Sequence, residues 1–204
     1  MEELALMSGL AQIGLTGFAY WQMAGGFSFS LSGLTMNNHI FYLTLAHFFT
    51  GRAVLAFRRG KGTNGHAYSH VLALLALFMA YRSLEQTNNL SGMSGRFMKY
   101  LQGIYVMQFL ASAALIYLPG VPRSVISQFI PLHKLGGTAV WALHSIQLLY
   151  THYIHGGSGG NLGCWFTCTH LYEFAYHAAI SCAALSSFAI LYTITNRRVH
   201  IKTN

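Results

Sequence analysis

Charge is what this chain has least of. Of its 204 residues only 8% are Asp, Glu, Lys or Arg, and only 4 are acidic. A soluble domain is usually about a quarter charged, so the composition points to an integral membrane protein. Cysteine is scarce too, with 3 residues, too few for a disulfide framework. Cys164 and Cys168 lie close together, and pairing them requires that end of the chain to face an oxidising space. Otherwise they, like Cys182, read as small apolar filler. The 3 prolines, Pro119, Pro122 and Pro131, are read as lying at or between the ends of apolar runs, which argues against the broken helices of a transporter. No internal repeat, soluble domain or cleavable leader is legible: the opening MEELALMSGL is acidic where a leader is basic.

What is abundant is apolar length, at 53% hydrophobic residues. About 20 apolar residues span a bilayer as a helix, and six such segments can be drawn. They run from about Ala5 to Gly25, Asn38 to Phe57, Ser69 to Leu84, Met98 to Leu118, Leu132 to Ile154 and His170 to Thr195. The expected fold is all-α, a single integral-membrane domain over residues 1–204 with six transmembrane helices. The net charge of +8 does not argue for nucleic acid, because the basic residues lie between the apolar segments rather than on one face. They act as topology signals. Arg58, Arg59 and Lys61 follow the second segment, Arg123 the fourth, and Arg197, Arg198 and Lys202 the sixth. The positive-inside rule puts those loops and both termini on the cytoplasmic side, or the matrix side in a mitochondrion. An endomembrane or the mitochondrial inner membrane both suit this topology.

Eleven histidines fall mostly in or at the ends of these segments, where a titratable ring is costly and needs a specific partner. At about 1.5 Å per residue, His70 and His133 open the third and fifth segments from the inner side and sit at a similar depth. Two imidazoles at one depth on facing helices are what bis-histidine haem ligation in a bundle requires. His39 opens the second segment from the outer side, and His47 lies roughly 12 Å deeper and about 80° around the helix. His144 returns to nearly the face of His133, about 16 Å further out, at a depth comparable with His177. Stacked histidines on one helix suit two haems, one above the other. His152, His155, His170 and His200 read as interfacial rings that snorkel to water. His66 lies one turn before His70 in the inner loop, placed to position a substrate or a haem propionate. Arg52, inside the second segment, and Lys134, beside His133, are cations that suit anionic propionates. Plain snorkelling suits Lys134 equally.

Several stretches resemble the eukaryotic cytochrome b561 family of six-helix, di-haem transmembrane electron carriers. NNHIFYLTLAHFFTGRAVLAFRR is similar to the family's second helix, HVLALLALFMA to its third, and IYLPGVPRSVISQFIPLHKLGG to its proline-marked connection into the fifth. The resemblance implies haem ligands at His39, His70 and His133, with helices three and five holding the inner haem and helices two and four the outer. The fourth ligand is missing: where the family opens helix four with histidine, this chain reads KYLQGIYV, with Tyr100, Leu101 and Gln102. The family's outer histidine-asparagine loop pair is replaced by SLEQTNN. On the inner side Arg58, Arg59, Lys61 and His66 are the residues to meet an anionic donor such as ascorbate.

Three outcomes follow for haem b. The inner haem survives alone on His70 and His133; or His144 replaces the lost ligand, pairing with His39 or His47; or both haems are gone and the fold persists. The first two make the chain a membrane oxidoreductase, passing electrons from an inner ascorbate-type donor toward a ferric or radical acceptor. The third makes it a structural subunit of a larger, possibly respiratory, membrane complex. A haem-bearing, quinone-linked dehydrogenase anchor is a further alternative. Lipid surrounds the chain in each case, with other membrane subunits or a second copy as candidate partners.

Overall fold

A computed structural model of the chain describes residues 1–22, 26–58, 62–89, 92–157, 168 and 170–196. The described residues form six α-helices and no strand: α1 Glu2–Gln22, α2 Met36–Arg58, α3 Gly62–Gln86, α4 Met93–Tyr117, α5 Arg123–Gly157 and α6 Leu171–Thr195. The all-helical class is therefore as expected. The helices run up and down. Ala5 meets Ala189 while Tyr20 meets Tyr176, so α1 and α6 are antiparallel; His39 reaches Ala80 while His66 reaches Ala53, so α2 and α3 are too. We call the end that holds the start of α1 the near end and the opposite end the far end. α2 is central, packed against α1, α3, α5 and α6.

Each helix has at least 21 residues, and at about 1.5 Å rise that equals the hydrocarbon thickness of a bilayer. Three stretches join that length to sufficient apolarity for a membrane span: Asn64–Gln86, Gly95–Tyr117 and Leu171–Thr195. The other helices fall short because of what they bury. Gln12 and Thr16 of α1, Asn38, His39, Thr44, His47 and Thr50 of α2, and His144, Ser145, Gln147, Thr151 and His152 of α5 all point into the bundle. The exposed surface carries Phe18 and Trp21, Leu75 and Phe78, Ile104 and Met107, Ile146 and Phe188. Polar groups inside and large apolar groups outside reverse the arrangement of a water-soluble bundle. A bundle in lipid shows it, because polar side chains there need partners from neighbouring helices.

The core follows the small residues. Ala73, Ala76 and Ala80 form a buried stripe on α3, flanked by Leu77 and Leu84, and α2 packs on it through Leu43 and Ala46. Met98, Leu101 and Tyr105 of α4 close the same cluster.

Two segment boundaries differ from expectation. α3 begins at Gly62 rather than near Ser69, so His66 is helical and not in a loop. α5 begins at Arg123 and runs through Pro131, which the sequence reading had put at a segment end. Gly120, at φ +87°, makes the tight turn after α4, a conformation open to glycine. The Pro122 carbonyl then accepts the first amide hydrogens of α5, from Val125 at 3.0 Å and Ile126 at 3.2 Å. Pro131 removes one intrahelical donor and leaves the rest of α5 continuous. His133 therefore lies in the third turn of α5, not at its opening.

Candidate functional site

Two histidine clusters lie inside the bundle. The near-end cluster joins α3, α4 and α5. His66 and His70, one turn apart on α3, have ring centroids 4.4 Å apart, and His66 lies 6.0 Å from His133 of α5. α3 and α5 are not packed against each other, so these rings bridge the space between them.

Hydrogen-bond direction around the cluster can be assigned from the hydroxyls. Thr50 Oγ1 donates to the Ala46 carbonyl at 2.8 Å and lies 3.3 Å from the Tyr105 hydroxyl. The Tyr105 hydroxyl also pairs with His70 Nδ1 at 2.5 Å. On α4 Ser112 Oγ donates to the Gln108 carbonyl at 2.7 Å, so its oxygen accepts from His133 Nδ1 at 2.8 Å. Gln108 Nε2 donates to the His133 carbonyl at 3.0 Å, holding the same turn of α5. His133 thus carries Nδ1–H and leaves Nε2 as a lone pair, and His70 is held at the same ring atom, Nδ1, by a hydroxyl of the same helix. His66 Nδ1 likewise donates to the Ala53 carbonyl at 2.8 Å.

The central cluster joins α2, α5 and α6. His47 stacks on Trp141 at 4.4 Å and 26°, and the ring of His144 meets it edge-on at 5.8 Å. His47 Nε2 reaches Ser145 Oγ at 3.2 Å and Ser187 Oγ at 3.0 Å. His144 is fully buried beside the Leu43 backbone without a well-formed hydrogen bond. Gly51, one turn from His47, is what lets Trp141 in: a Cβ there would lie 3.1 Å from the indole and 2.5 Å from Ile190 Cδ1. Of the two expected partners for His144, it is His47 whose ring it meets.

Further toward the far end, Tyr20 of α1 and Tyr176 of α6 hold His152: Tyr20 hydroxyl lies 3.2 Å from Nδ1, and Tyr176 donates to the His152 carbonyl. This corrects the interfacial reading of His152, which is fully buried because helices from both sides supply hydroxyls. His39 is buried on α2, with Nδ1 donating to the Ala80 carbonyl at 2.8 Å. Where a fourth ligand would open α4, Leu101 packs into the apolar core and Tyr100 is 73% exposed. His177 is buried on α6. His170 is exposed and its amide donates to Glu173 at 3.2 Å, capping α6. His155 lies in the last turn of α5, and His200 is outside the described residues.

The cations are distributed less tightly. Arg52 and Lys134 are both exposed. Arg58 closes α2, while Arg59 and Lys61 lie outside the described residues. Cys168 is disulfide-bonded and Cys182 is a free thiol; Cys164 lies outside the described residues. Disulfide bonding at Cys168 replaces the apolar-filler reading of that residue.

No protein-family model and no curated protein matches the chain. Among the described residues no three His, Cys, Asp or Glu side chains converge as a metal-ion cage. A two-histidine site is a different arrangement, and the donor set at His70 and His133 suits it. Both rings are held at Nδ1 by outer hydrogen bonds of the kind that orient metal-ligating histidines, which leaves Nε2 of each for a ligand. Tyr105, Gln108 and Ser112, which build that support, were missed in the sequence. Their spacing at i, i+3 and i+7 is a polar stripe on the apolar second half of α4, and that is the available signal.

Proposed function

We propose that the chain is a six-span membrane protein of the cytochrome b561 type that holds one haem b between His70 and His133 and accepts electrons at its near end. The observation that carries this reading is the matched support: hydroxyls of Tyr105 and Ser112 on α4 hold Nδ1 of both rings, which leaves Nε2 of each, on α3 and α5, as the atom for a ligand. When bound, haem iron supplies one-electron chemistry within a low-dielectric setting. His70 and His133 would hold the group through Nε2, with α4 orienting both rings and positive charge lying where α2 ends. His133 is partly exposed, so a small anionic donor such as ascorbate reaches the cluster from that side. Arg58, Arg59, Lys61 and His66 are the groups proposed to meet it. Arg52 and Lys134 are proposed to pair with propionates from the bundle surface.

The polar-inside, apolar-outside packing supports six crossings rather than three, since many of the polar groups that lower the apolarity of α1, α2 and α5 are buried in the bundle. The positive-inside rule puts the near end in the cytoplasm or matrix. Disulfide bonding at Cys168, at the far end, agrees with an oxidising space there.

A second haem on His39 is not part of this proposal, because α4 offers no partner and Leu101 fills the core beside it. The same loss favours the second reading, a haem-free structural subunit. The test is the haem-to-protein ratio of purified protein. A ratio of one, abolished equally by His70→Ala and His133→Ala and unaffected by His39→Ala, is the expected result. A ratio of zero in folded protein selects the structural subunit, and unequal losses from the two variants sink the pairing.

A further inference from the structure

The central cluster carries chemistry that the proposed function leaves unused. Ser145 and Ser187 donate their hydroxyl hydrogens to the Trp141 and Ala183 carbonyls, at 3.0 and 2.8 Å. The hydrogen between His47 Nε2 and the two serine oxygens therefore belongs to the ring, and His47 Nδ1 is a bare lone pair. That atom is buried with no hydrogen-bond partner. In the neighbouring ring both nitrogens of His144 are buried without a well-formed hydrogen bond, one of them turned to the Leu43 backbone, and a neutral imidazole always offers one lone pair. Two adjacent lone pairs in a closed interior, with no donor between them, call for an acceptor of electron pairs.

We propose that His47 and His144 bind one monovalent copper ion, Cu(I), in a two-coordinate site at the centre of the bundle. The ring-centroid separation of 5.8 Å is close to the roughly 6 Å expected when two imidazoles hold one ion in line through bonds of about 2 Å. Both ligands are neutral and none of the contacts described for the two rings is to a carboxylate or thiolate. The cost of burying an ion rises with the square of its charge, so this site favours a monovalent over a divalent metal. Imidazole suits copper, and a closed-shell Cu(I) ion accepts two ligands where zinc takes four. Trp141, stacked on His47 at 4.4 Å, covers one side and offers its π face to the positive charge. A macrocycle does not fit, because both rings are fully buried and the indole occupies one face of His47.

The site shares no residue with the His70–His133 pair, and its test is independent of haem. Purified full-length protein in detergent micelles is titrated anaerobically with Cu(I) against a chromogenic competitor, and haem is measured separately on the same sample. One copper per chain is expected, weakened by more than about tenfold in both His47→Leu and His144→Leu and retained in His39→Leu. X-ray absorption on the wild-type protein, which needs no variant to fold, should show two nitrogen neighbours and no sulfur. Folded protein that takes no copper, that holds Zn(II) as tightly, or that shows sulfur ligation overturns the proposal. So does loss of a haem rather than copper from His144→Leu. Absence of haem alongside bound copper defeats only the haem reading.

Discussion

Replacing Tyr105 with phenylalanine removes one oxygen from the middle of a hydrogen-bonded chain. Tyr105 is 4% exposed, and its hydroxyl pairs with Thr50 and with His70 Nδ1, the latter at 2.5 Å. In Tyr105→Phe, Thr50 keeps its own acceptor, the Ala46 carbonyl at 2.8 Å, so the damage falls on His70. A buried polar group left without a partner costs about 1–3 kcal/mol. His70 is only partly buried, so the lower half of that range is expected. His70→Leu removes the imidazole as well, and the double variant should be less destabilised than the two single changes together. Directly contacting groups couple by about 0.5–3 kcal/mol. Haem-free protein in mixed micelles, unfolded reversibly with a denaturing detergent and followed by circular dichroism, gives the four free energies. Additivity within about 0.3–0.5 kcal/mol would mean that the hydroxyl and the imidazole do not depend on each other. The Tyr105–His70 hydrogen bond would then fall.

Ser112→Ala removes the acceptor for His133 Nδ1; haem retention should drop about 10–100-fold, read as haem lost during gel filtration, and undiminished retention would contradict the support assigned to α4. Gly51→Ala places a Cβ 2.5 Å from Ile190 Cδ1 and should destabilise by about 1–3 kcal/mol from overpacking, less a helix-propensity gain of up to about 1 kcal/mol. Adding Ile190→Val removes the clashing carbon and should recover most of the loss in a thermal melt. Leu101→Ala, at a site 2% exposed, should cost about 2–5 kcal/mol, whereas Tyr100→Ala next to it should stay within about 0.5 kcal/mol. The reverse order in detergent unfolding would mean that α4 is rotated about its axis.

Much of the helical layout was legible because a chain with so few charges has little option but to pack apolar segments, and its few basic residues mark where they end. The common depth of His70 and His133 was legible too, because rise per residue converts position to height. What failed were the places where another helix decides the outcome. The stretch PGVPRSVISQF reads as a link, yet proline suits a helix start, and Pro131 interrupts only one bond of a long helix. His152 lies close enough to a segment end to read as interfacial, and only the arrival of Tyr20 and Tyr176 from α1 and α6 buries it. The hydrogen bonds of His70, His133 and His47 depend on hydroxyls 21 to 140 residues away in the chain. No local pattern encodes those partners.

The adjacency of α1 and α6 has a consequence for how the protein is made. Helices leave the ribosome in order, so α2 is made, carrying His47, well before Ser145 of α5 or Ser187 of α6 exists to pair with it. Ser186 of α6 likewise reaches back to the Ala5 carbonyl at 3.2 Å. Until synthesis delivers α6, the bundle is an open ring with polar atoms turned outward. α6 is the keystone: a chain stalled before it would keep its central histidine uncovered, a state that quality control can tell from the finished fold.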